Sequence, residues 1–506
     1  MTLERIVFTR CRCWTGGAGL GLTSAVSIDE GRIAALGDEA SRAGWRHIDL
    51  GGRVVLPGLI DAHCHLTAAA SRRLRVGLAD CPSLDAVLDA VAGWGAAHPG
   101  DEWVRGWGWD HYRWEDSALP SRHDLDRVIP DQPVWLSRRD GHSAWLNTLA
   151  MRRLGPLPDA SEDLLPCDDR GPVGIVRETL MDELALRLPI YPMDAHFRVL
   201  MAEQEHLLSQ GIVGVHTVER ARGVEVLDHA AGQGALTFTM YIMGEGIPPE
   251  ECHRCGASVE IQGYKLFVDG SLGSGTAWMM GDAGTTGTPV IAGEELDARV
   301  RAALEQGLDP CIHAIGDRAV RDVLDVFGRY APHHRERAFR IEHVQHLDRG
   351  DCSRIVAPNL YLSVQPCQLL SDRPLIDRLP ARPHRLDYAF ETMVKAGATL
   401  LMGTDFPIEP SDPWRNIAAA LDRCGEGETP WHGDERLAWP TVLDAYTAVP
   451  ARMAGWRDVG VLAPGYAANF VVVDRDPGQG APWNQTVHLT VKNGEVLFSD
   501  GSIDLG

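Results

Sequence analysis

The sequence predicts an α/β fold: a (β/α)8 TIM-type barrel, a small β-sandwich domain built from both termini, and a long insertion after the first barrel strand. Three observations predict it. The middle of the chain alternates short apolar strands with helical stretches, the pattern of βα units on a parallel sheet. Eight such strands can be counted, enough to close a barrel. Histidines and aspartates recur at their C-terminal ends, where a barrel of this type carries its chemistry.

The eight candidate strands are GLIDAHCH (58–65), IVGVHTV (212–218), LTFTMYI (236–242), YKLFVDG (264–270), DPCIHAIG (309–316), FRIEHVQH (339–346), LYLSVQP (360–366) and TLLMGTDF (399–406). The chain ends read differently. RIVFTRCRCW, AVSID and EGRIAALG near the start, and GYAANFVVVDRD and HLTVKNGEVLFSDG near the finish, are β-rich, with NGE a hairpin signal. The expected boundaries are therefore 1–56 and 446–506 for the two parts of the sandwich and 57–445 for the barrel.

The insertion runs from about 67 to about 210, far longer than an ordinary βα connection. It holds Trp103, Trp107, Trp109, Trp114, Trp135 and Trp145. Most of these rings read as a subdomain core. The alternative is a lid with aromatic walls over the barrel mouth, in which Trp109 and His142 of DGHSAW would contact substrate.

Composition narrows the partners. The 506 residues carry a formal net charge of -22, which argues against nucleic acid or an anionic membrane as the main partner. A 44% apolar and 23% charged chain is ordinary for a soluble globular protein. The start, MTLERIVFTRCRCW, lacks an apolar run of signal-peptide length, and no segment approaches the roughly 18 uninterrupted apolar residues of a membrane span. The 11 scattered cysteines read as reduced thiols in a cytoplasm. Cys252 and Cys255 have CxxC spacing, but no second pair completes a zinc knuckle, so they too read as thiols.

The chemistry begins at DAHCH. His63 and His65 are two apart on a strand, so both imidazoles point to one face and make half a site for zinc or a similar divalent ion. His313, His343 and Asp405 end three further strands and would project near the same mouth. Lys265 sits among apolar residues in YKLFV, where a lysine is almost never fully buried unless paired or chemically changed. A neutral amine there can add carbon dioxide to give an anionic carbamate able to bridge two cations. The other reading is an unmodified lysine paired with Asp269 or Glu260.

Taken together, LPGLIDAHCHL, GWGWDHYRW, RRDGHSAWLN, YKLFVDGSLGSGTA, IHAIGDRA, RIEHVQHL, MGTDFPIEPSDPW and LAPGYAANFVVVDRDP resemble the amidohydrolase superfamily. The branch they resemble is amidohydrolase family 3, which includes N-substituted formamide deformylases. The resemblance implies a distorted barrel with a small β-sandwich. It also implies one metal ion held by His63, His65 and Asp405, and a second held by His313 and His343, with carboxylated Lys265 bridging them. A one-metal site stays open, and His346 is an alternative ligand. His216 ends the second strand as a substrate-contact candidate, followed by Thr217 where the family usually has an aspartate. Relatives are commonly homodimers.

Such a site hydrolyses. A divalent zinc ion lowers the pKa of bound water to about 7, and Asp405 would carry its proton to the leaving nitrogen. The expected reaction is cleavage of an amide-type C–N bond in a small molecule. A mononuclear deaminase or a lactone or ester hydrolase are the alternatives on this fold.

Overall fold

The computed structural model describes residues 3–17, 21–40, 44–100, 102–115, 117–139, 142–157, 161–253, 256–281 and 287–505. Cys255, half of the CxxC pair, lies outside the described residues; Cys252 is buried, its Sγ donating to Pro248 O at 3.7 Å.

Eight parallel strands form the barrel: β1 (Leu59–Cys64), β2 (Ile212–Glu219), β3 (Thr239–Glu245), β4 (Ile261–Phe267), β5 (Asp309–Ala314), β6 (Phe339–His343), β7 (Leu360–Val364) and β8 (Thr399–Met402). They follow one another in chain order around the sheet. β1, β2, β5 and β6 are buried along their whole length, as a parallel sheet covered on both faces requires. Amphipathic helices supply the outer cover. Asp317–Arg329, for example, buries Val320, Val323, Leu324 and Phe327 at three- and four-residue spacing. Two strands lie about a turn away from where the sequence puts them. β3 starts three residues after LTFTMYI does, and β4 ends three residues before YKLFVDG does.

The barrel closes without a full ladder between β1 and β8. Asp61 of β1 bridges the seam instead, accepting from Thr404 N at 3.1 Å and Thr404 Oγ1 at 2.5 Å. Beyond it, Asp405 N donates to His63 O at 2.7 Å and His65 N to Phe406 O at 2.8 Å. The backbones approach so closely that a Cβ on Gly403 would lie 2.2 Å from His63 N. Glycine is required here by space.

The chain ends build a β-sandwich. A four-stranded sheet (Arg32–Leu36, Val26–Asp29, Ile6–Thr9, Arg46–Asp49) faces a six-stranded sheet in which Val54–Pro57 pairs with Phe470–Val473. Phe8, Ile28 and Ile33 from one sheet share a core with Val55, Phe470, Val472 and Leu489 from the other. The helices Trp439–Tyr446 and Ala448–Met453 pack on β1 and β8, so the expected start of the second sandwich part at 446 falls within structure that covers the barrel.

Residues 69–200 form a compact unit of their own. Its sheet orders Ile175–Arg177, Ser143–Leu146, Val134–Arg138, Val104–Trp109 and Val76–Gly77. Trp109, Trp114 and Trp145 fill one hydrophobic cluster, and Trp103 and Trp135 another. Among the alternatives drawn from sequence, the core reading describes these five rings. Trp107 is half-buried, with the Arg72 guanidinium 4.9 Å from its centroid.

The seam yields a prediction. Gly403→Ala should destabilise the chain by about 1–3 kcal/mol or more in urea unfolding, because the clash is with backbone rather than with a side-chain tip. An unchanged midpoint would show that the seam can open.

Candidate metal centre

Each element delivers its side chain by strand alternation plus a local departure from it. His63 and His65 leave the end of β1 on one face, with ring centroids 5.8 Å apart. Asp405 follows β8 at φ 60° and His343 ends β6 at φ 77°, both in the left-handed region that non-glycine residues rarely adopt. Such backbone costs about 1–3 kcal/mol per residue and persists where surrounding structure holds it. At Asp405 the hydrogen bond from its N–H to His63 O does so.

The ligand-type atoms of His63, His65 and Asp405 all lie within 4.8 Å of one another. Asp405 Oδ1 is 3.5 Å from His63 Nε2 and 3.3 Å from His65 Nε2, while Oδ2 accepts from Gln368 Nε2 at 2.8 Å. Among the described residues His63 Nε2 is buried with no hydrogen-bond partner, only the ion-pair approach of Asp405. A buried ring nitrogen facing a carboxylate and a second imidazole suits a divalent cation, so the donor set fits the group that the sequence implies.

The other expected ligands stand beside this cluster. The His343 ring is 5.1 Å from that of His63 and 4.5 Å from that of His313. His313 Nε2 bonds Gly270 O at 3.1 Å and His343 Nδ1 bonds Gln365 Oε1 at 2.9 Å, so each ring is oriented through one nitrogen. Lys265 is 2% exposed, and its Nζ lies 5.0 Å from the centroid of Phe267. Asp269, one alternative partner for it, directs its carboxylate to the N–H groups of Trp278, Ile315 and Gly316. Among the described residues Lys265 has no ion pair with Asp269 or Glu260.

Three residues that sequence reasoning passed over organise the centre. Glu342 Oε2 lies 2.6 Å from His63 Nδ1, and Arg340 holds the same carboxylate through Nε at 2.7 Å and Nη2 at 3.1 Å. All three side chains are fully buried. Asp61 braces His63 from the other side, accepting from its backbone N–H at 3.1 Å. The signal was present in FRIEH, where charges alternate with Phe339 and Ile341 on a strand too apolar to face water.

Charge in this pocket is settled by competition. Burial would raise the Glu342 carboxyl, but Arg340 and then His63 outweigh it and hold it well below the usual carboxylate range. Burial likewise opposes ionisation of Asp405, yet the hydrogen bond from His65 and the neighbouring His63 and His343 keep it low. Burial lowers His63 and His313, with Lys265 the next cause for each, and His313 falls to about 3. Burial also lowers Lys265, against the pull of Glu342 and Asp405. The shifts favour neutral His63, His313 and His343 and ionised Glu342 and Asp405, the protonation states that metal ligation needs.

Two of the three expected substrate contacts are enclosed, and the third is exposed. Trp109 is enclosed in the core of the 69–200 unit, donating to Leu136 O at 2.8 Å, and so offers no open wall. His216 has no exposure: its ring lies 5.0 Å from Tyr241 and 5.5 Å from Trp456, and Nδ1 faces Arg340 Nη1 at 2.9 Å. It is part of the barrel interior. His142 is two-thirds exposed in its own unit and paired with Glu178 at 3.1 Å. His346, the alternative ligand, begins a separate strand (His346–Asp348) and binds Asp387 Oδ1 at 2.6 Å.

Two outcomes are expected. Glu342→Gln should weaken metal binding by about 10–100-fold in competition with a chelator, since it removes the anion that orients His63. His63 and His313 should take up protons only below pH 6.5 in an NMR titration of the metal-free chain, because burial lowers both imidazoles; an inflection of either ring at or above 6.5 would contradict this.

A profile of the amidohydrolase family matches residues 46–498. The chain is 28% identical to the amidohydrolase YtcJ of Bacillus subtilis over 94% of its own length and 96% of that protein's. It is 26% identical to an N-substituted formamide deformylase of Arthrobacter pascens, over 90% of each chain. A crystal structure described as a metal-dependent hydrolase from Pyrococcus horikoshii superposes with a TM-score of 0.78 at 27% identity, covering 94% of this chain and 98% of that one. The match takes in part of the sandwich and every barrel strand that carries the site: the chain belongs to the amidohydrolase family.

Proposed function

We propose that this protein is a metal-dependent hydrolase that cleaves an amide-type C–N bond, in an N-substituted formamide or another N-acyl or cyclic amide of small size. The observation that carries the reading is the pairing of ionised Asp405 with the unpartnered, buried Nε2 of His63 and the adjacent His65. The Arthrobacter relative named as a formamide deformylase points to the same bond type.

His63, His65 and Asp405 would hold one divalent ion, zinc being the natural choice for imidazole and carboxylate donors, and His313 and His343 a second. Metal bound there supplies Lewis-acid polarisation of a carbonyl and lowers the pKa of water. Lys265 supports two ions in this reading. Its burial favours the neutral amine, which forms an N–C bond with carbon dioxide, releases one proton and becomes an anionic carbamate that can bridge two cations. Asp405 takes the proton of the attacking water on a carboxylate oxygen and returns it to the departing nitrogen. Gln368, bonded to Oδ2, keeps that carboxylate aimed while the proton moves. A cytoplasmic setting belongs to the same proposal, supported by the described cysteines being free. Among the described residues no helix is long and apolar enough to cross a membrane.

The test is turnover of a panel of N-alkyl formamides, cyclic amides and lactones by the zinc-loaded chain. Formamides should release formate, chelation should abolish release, and Asp405→Asn should lower kcat by about 10²–10⁴-fold. Release that survives chelation, or a variant within threefold of the parent, would sink the proposal; turnover of lactones alone would move the reaction to C–O bonds.

A further inference from the structure

The 69–200 unit contains two cavities that meet at one buried arginine. The first, about 360 Å³, is lined by Trp103, Arg105, Tyr191 and Arg198 together with the acids Glu102 and Asp194. The second, about 350 Å³, has no acidic lining residue among the described residues: its polar groups there include Arg75, Arg105, Ser137 and His196. Both volumes are in the range of small-molecule sites. The walls of the second are apolar, formed by Trp135, Met181, Leu188 and Tyr191.

Arg105 is 9% exposed and lies 4.3 Å from the Tyr191 ring centroid. It donates through Nη2 to Pro189 O, while its Nε is buried with no hydrogen-bond partner among the described residues. Among those residues Arg105 and Arg75 also lack an ion-pair partner. Burial pulls the Arg105 pKa down and Arg75 adds to that, against the opposing pull of Tyr191 and of Glu102 in the first cavity. A chain of net charge -22 has ample carboxylates with which to neutralise such a pair, yet among the described residues none lines this cavity. A guanidinium is the side chain best matched to a planar carboxylate, which it can engage through parallel N–H donors.

We propose that the second cavity binds a small carboxylate with an aromatic or branched apolar body. Its anionic end meets Arg105 and Arg75, with Ser137 and His196 within the same lining, and its body packs on Trp135 and Tyr191. This ligand site shares no residue with the metal centre.

Phenylacetate is the probe, with 2-phenylacetamide as its neutral isostere, titrated calorimetrically into the full zinc-loaded chain. Phenylacetate should bind saturably and the amide at least about 10-fold more weakly. Arg105→Met should weaken phenylacetate by at least about 10-fold and Arg105→Lys by less, because lysine keeps the charge but not the fork. Arg75→Met, an exposed change, should weaken it in the same direction. Chelated protein and Asp405→Asn should keep the parent affinity. Absence of binding, equal affinity for acid and amide, or parent affinity in Arg75→Met would overturn the proposal. So would affinity lost with the metal, which would place the carboxylate at the metal centre instead.

Discussion

Glu342 is a carboxylate inside a barrel from which water is excluded, and much of the site's order follows from how that charge is compensated. Left alone it would protonate or unfold its surroundings. Arg340 meets it through two nitrogens, and one remaining direction is filled by His63 Nδ1. The arrangement sets the tautomer: an imidazole that donates from Nδ1 presents its lone pair at Nε2, toward Asp405 and His65. Arg340 in turn ties β6 to β1 through Ala62 O at 2.7 Å, and reaches His216 below. Breaking one member of such a buried set costs about 3–5 kcal/mol, which explains why a site of this kind comes with its own scaffold.

Around that triad the barrel concentrates groups that resist one another. Lys265, His313 and His343 are buried together, and burial lowers all three, while Glu342 and Asp405 are held low by Arg340 and the neighbouring imidazoles. The result is a set of imidazole lone pairs beside two carboxylates. That imbalance makes a divalent ion a natural completion. Backbone strain at His343 and Asp405 adds to the cost of the unfilled arrangement, and the seam between β1 and β8, closed through Asp61 and the space at Gly403, keeps both strand ends in register.

How much of this was legible before the structure depends on the residue. Strand alternation and the rarity of buried lysine exposed Lys265, His63, His65 and Asp405, because each violates the apolar pattern of its own strand. Arg340 and Glu342 violate it just as openly, but arginine is no metal ligand and one glutamate beside it does not by itself mark a site, so the interior pair went unread. Trp109 and His216 show the opposite failure. A ring or imidazole on a buried strand can face a cavity or a core, and sequence period alone does not say which. The shifted ends of β3 and β4 have a similar origin: LTFTMYI and YKLFVDG are apolar runs whose true limits are set by pairing with neighbours, as Lys265 beside Cys311 and Glu245 shows. The sandwich strands were easier, since hairpin turns mark their ends.

The central claim is that these side chains enclose divalent metal. Diffraction from zinc-loaded crystals above and below the zinc absorption edge tests it directly. The account predicts anomalous peaks bounded by His63 Nε2, His65 and Asp405, and a second beside His313 and His343 with carbamate density on Lys265. Crystals with full zinc in solution and no anomalous signal among those residues would contradict it.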